Sequence, residues 1–244
     1  MILLVLLLIA GSTASSYLPS NVKLCSKRDP NFLNCVALNM MEAIESFGPG
    51  YKKLGIPMLE PFYIEKMEIQ GSQTGSVHLD QKYEQIYIHG FSRSNITNLM
   101  IDHDKCHWEF DSTAPYIRME SDYVLNGQLL IFPINGHGKS NVTMKNVKVH
   151  YSLDCKREDK KEQTFITVTS FKMVMNPEQI HLDFENLIPG NEQLTNEVSK
   201  AINENSHEIF KDVKGAIEQV FEKIFTATTN RVFSKLKESD IFLD

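Results

Sequence analysis

Residues 194–236, LTNEVSKAINENSHEIFKDVKGAIEQVFEKIFTATTNRVFSKL, decide the fold. Val198, Ile202, Ile209, Val213, Ile217, Val220 and Ile224 fall on one stripe at a period near 3.6, with Lys200, Glu204, Lys211, Glu218 and Glu222 opposite. No proline interrupts the stretch. A continuous helix of up to about 40 residues would be about 60 Å long at ~1.5 Å per residue, twice the width of a small domain. Beyond Phe225 the stripe fails, because Arg231 falls where an apolar residue is due while Val232 and Leu236 have moved round. Thr226, Thr228, Thr229 and Asn230 are poor helix formers as well, so a bend or an early end is expected there. Ser206 sits mid-stripe, where its hydroxyl either meets a ligand's polar head or bonds back to the carbonyl of residue 202.

Whatever covers that stripe must come from upstream. From Pro57 to about Phe184 the hydrophobic period is two, most cleanly where Pro115, Ile117, Met119, Ser121, Tyr123 and Leu125 alternate with Tyr116, Arg118, Glu120 and Asp122. Asn126-Gly127 then precedes Leu129 to Ile134 and predicts a hairpin turn. Further strands are expected at 147–153, 165–175 and 180–184, forming one antiparallel meander, with a loop at Pro189-Gly190-Asn191. At the other end, Phe32, Leu33, Val36, Met40, Ala43, Ile44 and Phe47 predict an amphipathic helix. Asp29 is its expected N-cap, Pro30 its first residue and Gly48-Pro49-Gly50 its end. A long helix with one apolar stripe must bury it along its whole length, and only the strands can do so. The fold class is therefore α+β: a strongly curved antiparallel sheet wrapped around a long C-terminal helix, with an N-terminal helix beside it.

A curved sheet around a rod of bulky side chains leaves an elongated apolar space, and ten methionines suit adaptable walls. The residues expected to line it are Met40, Ile44 and Phe47 on the first helix and Tyr123, Phe132, Ile134, Phe171 and Met173 on the strands. Ile209, Val213, Ile217 and Val220 are expected on the long helix. For any one of them the competing reading is ordinary core. Catalytic motifs are absent: the chain has no Gly-x-Ser-x-Gly elbow, no His-Glu-x-x-His, no P-loop and no dinucleotide fingerprint. Asp102-His103-Asp104 reads as a surface turn, since adjacent residues of an extended chain point to opposite faces and converge poorly on an ion. Gly136-His137-Gly138 reads as a turn between strands, with His137 a possible pocket-mouth residue. No metal, cofactor or enzyme activity is expected.

Ile2 to Ile9 is an unbroken apolar run followed by small residues to Ser16, the pattern of a secretory signal peptide over residues 1–16. Residues 17–244 are then one extracellular domain with no apolar run long enough to enter a membrane stably. Cys25, Cys35, Cys106 and Cys155 are even in number after a secretion signal, and two disulfides are expected. Of the three pairings, Cys25 with Cys35 and Cys106 with Cys155 is favoured, the first closing a short N-terminal loop. Net charge is −6 without a basic cluster, which disfavours nucleic acid, and the mixed charge run Lys156 to Glu162 reads as a solvated loop. Asn95-Ile96-Thr97 and Asn141-Val142-Thr143 are glycosylation sequons, both expected near strand ends or loops.

The order of Leu24-Cys25, Asp29-Pro30, Cys35, Leu54-Gly55-Ile56-Pro57 and Glu60-Pro61-Phe62 resembles the insect takeout and juvenile-hormone-binding protein family. Ile88-His89-Gly90-Phe91-Ser92, Ser121-Asp122-Tyr123, Phe132 to Gly138 and Phe184-Glu185-Asn186-Leu187 continue the resemblance in order across residues 20–242. It implies a long helix wrapped by a curved sheet, with an apolar pocket shared by the N-terminal helix and the sheet. It also implies a monomeric carrier of a juvenile hormone-like isoprenoid, fatty acid or related lipid, nearer the takeout members linked to feeding, courtship or circadian physiology. Cys25 and Cys35 fit the family, whereas Cys106 and Cys155 match no family motif. Two alternatives stand beside the carrier: a secreted structural or signalling protein with a filled core acting through a protein partner, and an esterase, for which no nucleophile motif exists.

Overall fold

The computed structural model describes residues 17–19, 22, 24–71 and 77–243; the expected signal segment, residues 1–16, lies outside them. In chain order the elements are β1 (Cys25–Ser26), α1 (Phe32–Ser46), β2 (Phe62–Ile69), β3 (Val77–His89), β4 (Asn95–Asp102), β5 (His107–Leu129) and β6 (Phe132–Lys160). They are followed by β7 (Gln163–Asn176), β8 (Gln179–Phe184), α2 (Glu192–Glu204), α3 (Ser206–Phe233) and β9 (Phe242–Leu243). The first helix starts two residues later than its expected first position at Pro30. Asn31 is its N-cap, and Asp29 instead accepts the Asn31 amide at 2.8 Å.

Seven strands form one antiparallel sheet in the order β2-β3-β5-β6-β7, with β4 paired to the first part of β5 and β8 to the middle of β6. The expected hairpin is present, but its turn is Leu130-Ile131, and Asn126-Gly127 lies inside β5. Glycine at 127 serves a close crossing: at φ 136°, a Cβ there would sit 2.2 Å from the His78 carbonyl oxygen on β3. Gly136-His137-Gly138 is likewise strand rather than turn, paired with Leu125, Val124 and Tyr123. A Cβ on Gly136 would meet the Leu187 carbonyl at 2.8 Å, so the glycine admits the chain that leaves β8. The charge run from Lys156 is also strand as far as Lys160, and only Lys161-Glu162 turns.

The sheet curls because its alternation slips. Register shifts lie between Glu84 and Tyr87, where Gln85 has φ 49°, and between Thr97 and Met100, where Asn98 has φ 53°. Each such bulge bends its strand and adds twist. In β5 the inward set runs through Ala114 and then Ile117, so Pro115 is exposed and the expected phase holds only from Ile117 onward.

The long helix is broken where no break was expected and continuous where a bend was. α2 ends at Asn205, whose amide is shared between the Ala201 and Ile202 carbonyls and whose side chain donates to Ala201 at 2.8 Å. Asparagine competes with the helix in this way through short side-chain bonds to the backbone. Ser206 therefore heads α3 instead of sitting mid-helix, and is buried. Beyond Phe225, α3 continues to Phe233 because its polar residues have partners. Thr226 donates to the Glu222 carbonyl at 2.7 Å, and Arg231 reaches the Gly55 carbonyl at 3.3 Å.

Glu218 and Glu222, expected on the solvent face, instead satisfy the outer edge of β7. They accept the Met175 and Met173 amides at 2.7 and 3.2 Å. Two turns on, Asn230 accepts the Val168 amide at 2.7 Å and donates to the Val168 carbonyl at 3.0 Å. Asn203 on α2 does the same for Leu182 on β8, both bonds being 2.8 Å. The helices thus stand in for a missing strand, as buried backbone groups require partners. α3 also touches β2 and β3, so it closes the gap that the open sheet leaves.

Both expected disulfides are formed, Cys25–Cys35 and Cys106–Cys155. The first ties β1 to α1, and the second joins the β4–β5 turn to β6. β1 pairs in parallel with β9, and Phe32, Val36 and Phe242 pack there as a separate small core. Asp102-His103-Asp104 does lead into a turn, with Asp102 accepting the Lys105 amide at 3.0 Å. The His103 ring packs against Phe32 and Phe242.

Candidate functional site: an apolar cavity

The inner face of the sheet and the apolar side of α3 enclose a cavity of about 130 Å³, roughly ten times the ~10–15 Å³ that one water needs by the same measure. Its wall is built strand by strand: Ile64, Met67 and Ile69 from β2, Leu79, Ile86 and Ile88 from β3, Ile117 and Leu125 from β5, Met144 and Val149 from β6, and Met173 and Met175 from β7. Ile202, Ile209, Phe210, Val213, Ile217 and Phe221 close it from the helices. Five of the chain's ten methionines, at 67, 119, 144, 173 and 175, lie on this wall. Unbranched thioethers adapt to irregular volumes, so the wall can fit more than one shape.

Polar groups on the wall are few, and among the described residues none is charged. Gln81, Ser94 and Ser112 join the hydroxyls of Tyr83 and Tyr151. Burial pushes the Tyr83 phenol far above its usual range, with the nearby Tyr123 phenol adding to the shift. Burial likewise raises Tyr151, against a smaller opposing effect of its bond to Ser112. Both are therefore neutral hydroxyls. The described part of the wall thus offers hydrogen-bonding groups that carry no charge.

Met173, Ile209, Val213 and Ile217 stand on the cavity wall. The structure places the other expected residues elsewhere. Met40 belongs to the small core around Cys25 and Phe242, and Phe47 packs with Leu54 and Leu236. Ile44 is half-buried on the same helix. The reason is topological: α1 packs on β4 and β1, and so covers the far end of the sheet rather than the cavity. The pocket implied as shared with the N-terminal helix is thus formed without it. Tyr123 and Ile134 are fully packed core, with the Tyr123 hydroxyl donating to the Glu185 carbonyl and burial pushing its phenol up to about 12. Phe132 and Val220 pack from outside against the main core, and Phe171 lies against Tyr151 and Phe225. Ser206 and the exposed His137 are not on the wall. The wall residues of β2 and β3 were missed, because the alternation of each strand changes phase once, between Ile64 and Met67 on β2 and between Tyr83 and Ile86 on β3.

A single curved sheet closed by a helix around an uncharged apolar interior defines a class of protein with an internal compartment for apolar matter. The chain belongs to the haemolymph juvenile hormone binding protein family, whose family model matches residues 2–243. The fold is that of takeout 1 from Epiphyas postvittana: its crystal structure aligns with a TM-score of 0.80 at 20% identity, covering 91% of this chain and 99% of that one. The circadian clock-controlled protein daywake of Drosophila yakuba is 21% identical over 243 residues, covering 94% of this chain and 90% of its own. Daywake of Drosophila melanogaster is 23% identical over the same span.

Proposed function

We propose that this chain is a secreted, non-enzymatic, monomeric carrier that holds one small hydrophobic molecule, an isoprenoid, fatty acid or related lipid, in the cavity under α3. The observation that carries the reading is the uncharged, methionine-rich wall. Burying a fifteen-carbon chain yields roughly 12 kcal/mol at ~0.8 kcal/mol per carbon group, and association costs about 4 kcal/mol or more. The remainder supports micromolar or tighter binding with no strong polar contact. Two disulfides suit an oxidising compartment, and among the described residues no helix is long and apolar enough to cross a membrane. A rhythm-linked role rests on the likeness to the circadian clock-controlled daywake proteins alone.

Native mass spectrometry of the protein purified gently from its source, paired with titration of the neutral dye N-phenyl-1-naphthylamine, tests the proposal. A lipid-sized added mass and saturable dye fluorescence are expected. Absence of both would favour a filled-core protein acting through a protein partner.

Secretion brings the sequons into play, and the structure separates them. Asn95 is exposed at the start of β4, whereas Asn141 lies within β6 between Glu120 and Asp183, with its Oδ1 buried. Its expected place near a strand end is thus corrected. Peptide mapping of protein secreted from insect cells should find a glycan on Asn95 at several times the occupancy of Asn141. Equal occupancy would show that the modification precedes sheet formation.

A further inference from the structure

Gln81 interrupts the inward row Val77, Leu79, Gln81, Tyr83 of β3, with Ile69 and Leu125 as its neighbours on the flanking strands. It is 7% exposed and stands on the cavity wall. Its carboxamide oxygen accepts the Tyr83 hydroxyl at 2.9 Å, and this is the sole hydrogen bond that the side chain makes to the described residues. With the Tyr83 hydroxyl as donor, the oxygen end of the amide is used up. The NH2 group, with two donors, is left for whatever occupies the cavity. A buried amide donor without a partner is costly, so the position penalises an occupant that offers it nothing.

Resting on the carrier reading, we infer that Gln81 selects the cargo: an apolar chain bearing one uncharged hydrogen-bond acceptor, such as the carbonyl of an ester or ketone, held by the Gln81 NH2. A carboxylate is disfavoured, because no cationic side chain among the described residues lines the cavity to offset the loss of its hydration. A plain hydrocarbon is tolerated but leaves the amide unpaired. Tyr83 is the positioning residue, acting through Gln81.

Displacement of N-phenyl-1-naphthylamine by tridecane, methyl dodecanoate, 2-tridecanone, 1-tridecanol and ionised dodecanoate tests this on wild type and on Gln81→Leu. The variant should lose about tenfold in affinity for the ester and ketone while tridecane binds equally well or better. Wild type should bind the methyl ester at least about tenfold more tightly than the ionised acid. Gln81→Met, of similar length and without donors, serves if thermal unfolding shows that the leucine variant is not folded. An equal change for tridecane and the ester, or no change for either, would remove Gln81 from selection while leaving the carrier reading intact. Loss confined to the alcohol, with the ketone unaffected, would mean that the amide presents its oxygen, and tight dodecanoate binding would overturn the preference for a neutral group. If wild type binds none of the probes, the carrier reading itself falls, and this inference with it.

Discussion

Asn230→Leu is expected to lower the unfolding free energy by about 2–4 kcal/mol, far more than an exposed substitution on the same helix such as Lys223→Ala, which should stay within ~0.5 kcal/mol. The Asn230 amide serves both the N–H and the C=O of Val168. Leucine keeps the branching and the number of heavy atoms and is the better helix former, so helix propensity alone predicts a gain. The loss comes from two backbone groups on β7, each of which costs about 1–3 kcal/mol when buried without a partner. Urea unfolding measures the total, and faster hydrogen exchange at the Val168 amide locates it. A change below about 0.5 kcal/mol would show that water replaces Asn230 at no cost.

The largest effect on function is expected from Val213→Trp. Val213 faces the cavity from the first third of α3, one turn from both Ile209 and Ile217. An indole there occupies the room that a ligand would take, and overpacking costs about 1–3 kcal/mol, which a domain of this size survives. Binding of N-phenyl-1-naphthylamine should fall by at least about a hundredfold if the lost burial is ~3 kcal/mol. Circular dichroism should stay native, and Lys211→Ala, exposed two residues earlier, should bind like wild type. Unchanged binding by folded Val213→Trp would place the ligand outside this cavity.

How far the sequence discloses this molecule depends on which forces leave a pattern in it. Burial does: the α3 stripe and the β5 alternation carry the α+β class and the wrapping of helix by sheet. Backbone geometry does so poorly. Asn126-Gly127 has the composition of a turn, but Gly127 is used for strand crossing, and the real turn, Leu130-Ile131, carries no turn residues at all. Long-range pairing leaves almost nothing. Glu218, Glu222 and Asn230 look like a solvated face and a helix end until β7 is laid beside them. The cavity itself was half legible, since helix residues 209, 213 and 217 follow from the stripe while the share of β2 and β3 depends on a bulge at Gln85 that shifts the phase. Gln81 was readable as a polar residue in an apolar row. Its meaning needed Tyr83 in contact.

The way α3 covers β7 has a further consequence, for how the protein behaves at high concentration. A long strand whose outer N–H and C=O groups are unpaired is a template for strands of other molecules. In β7 the groups at 168, 173 and 175 are occupied by side chains of its own helix, which no second chain can displace without first undocking α3. Side-chain capping also sets no backbone register that another copy could extend. The helix that closes the cavity thus also occupies the β7 edge, where a strand of another copy would otherwise pair.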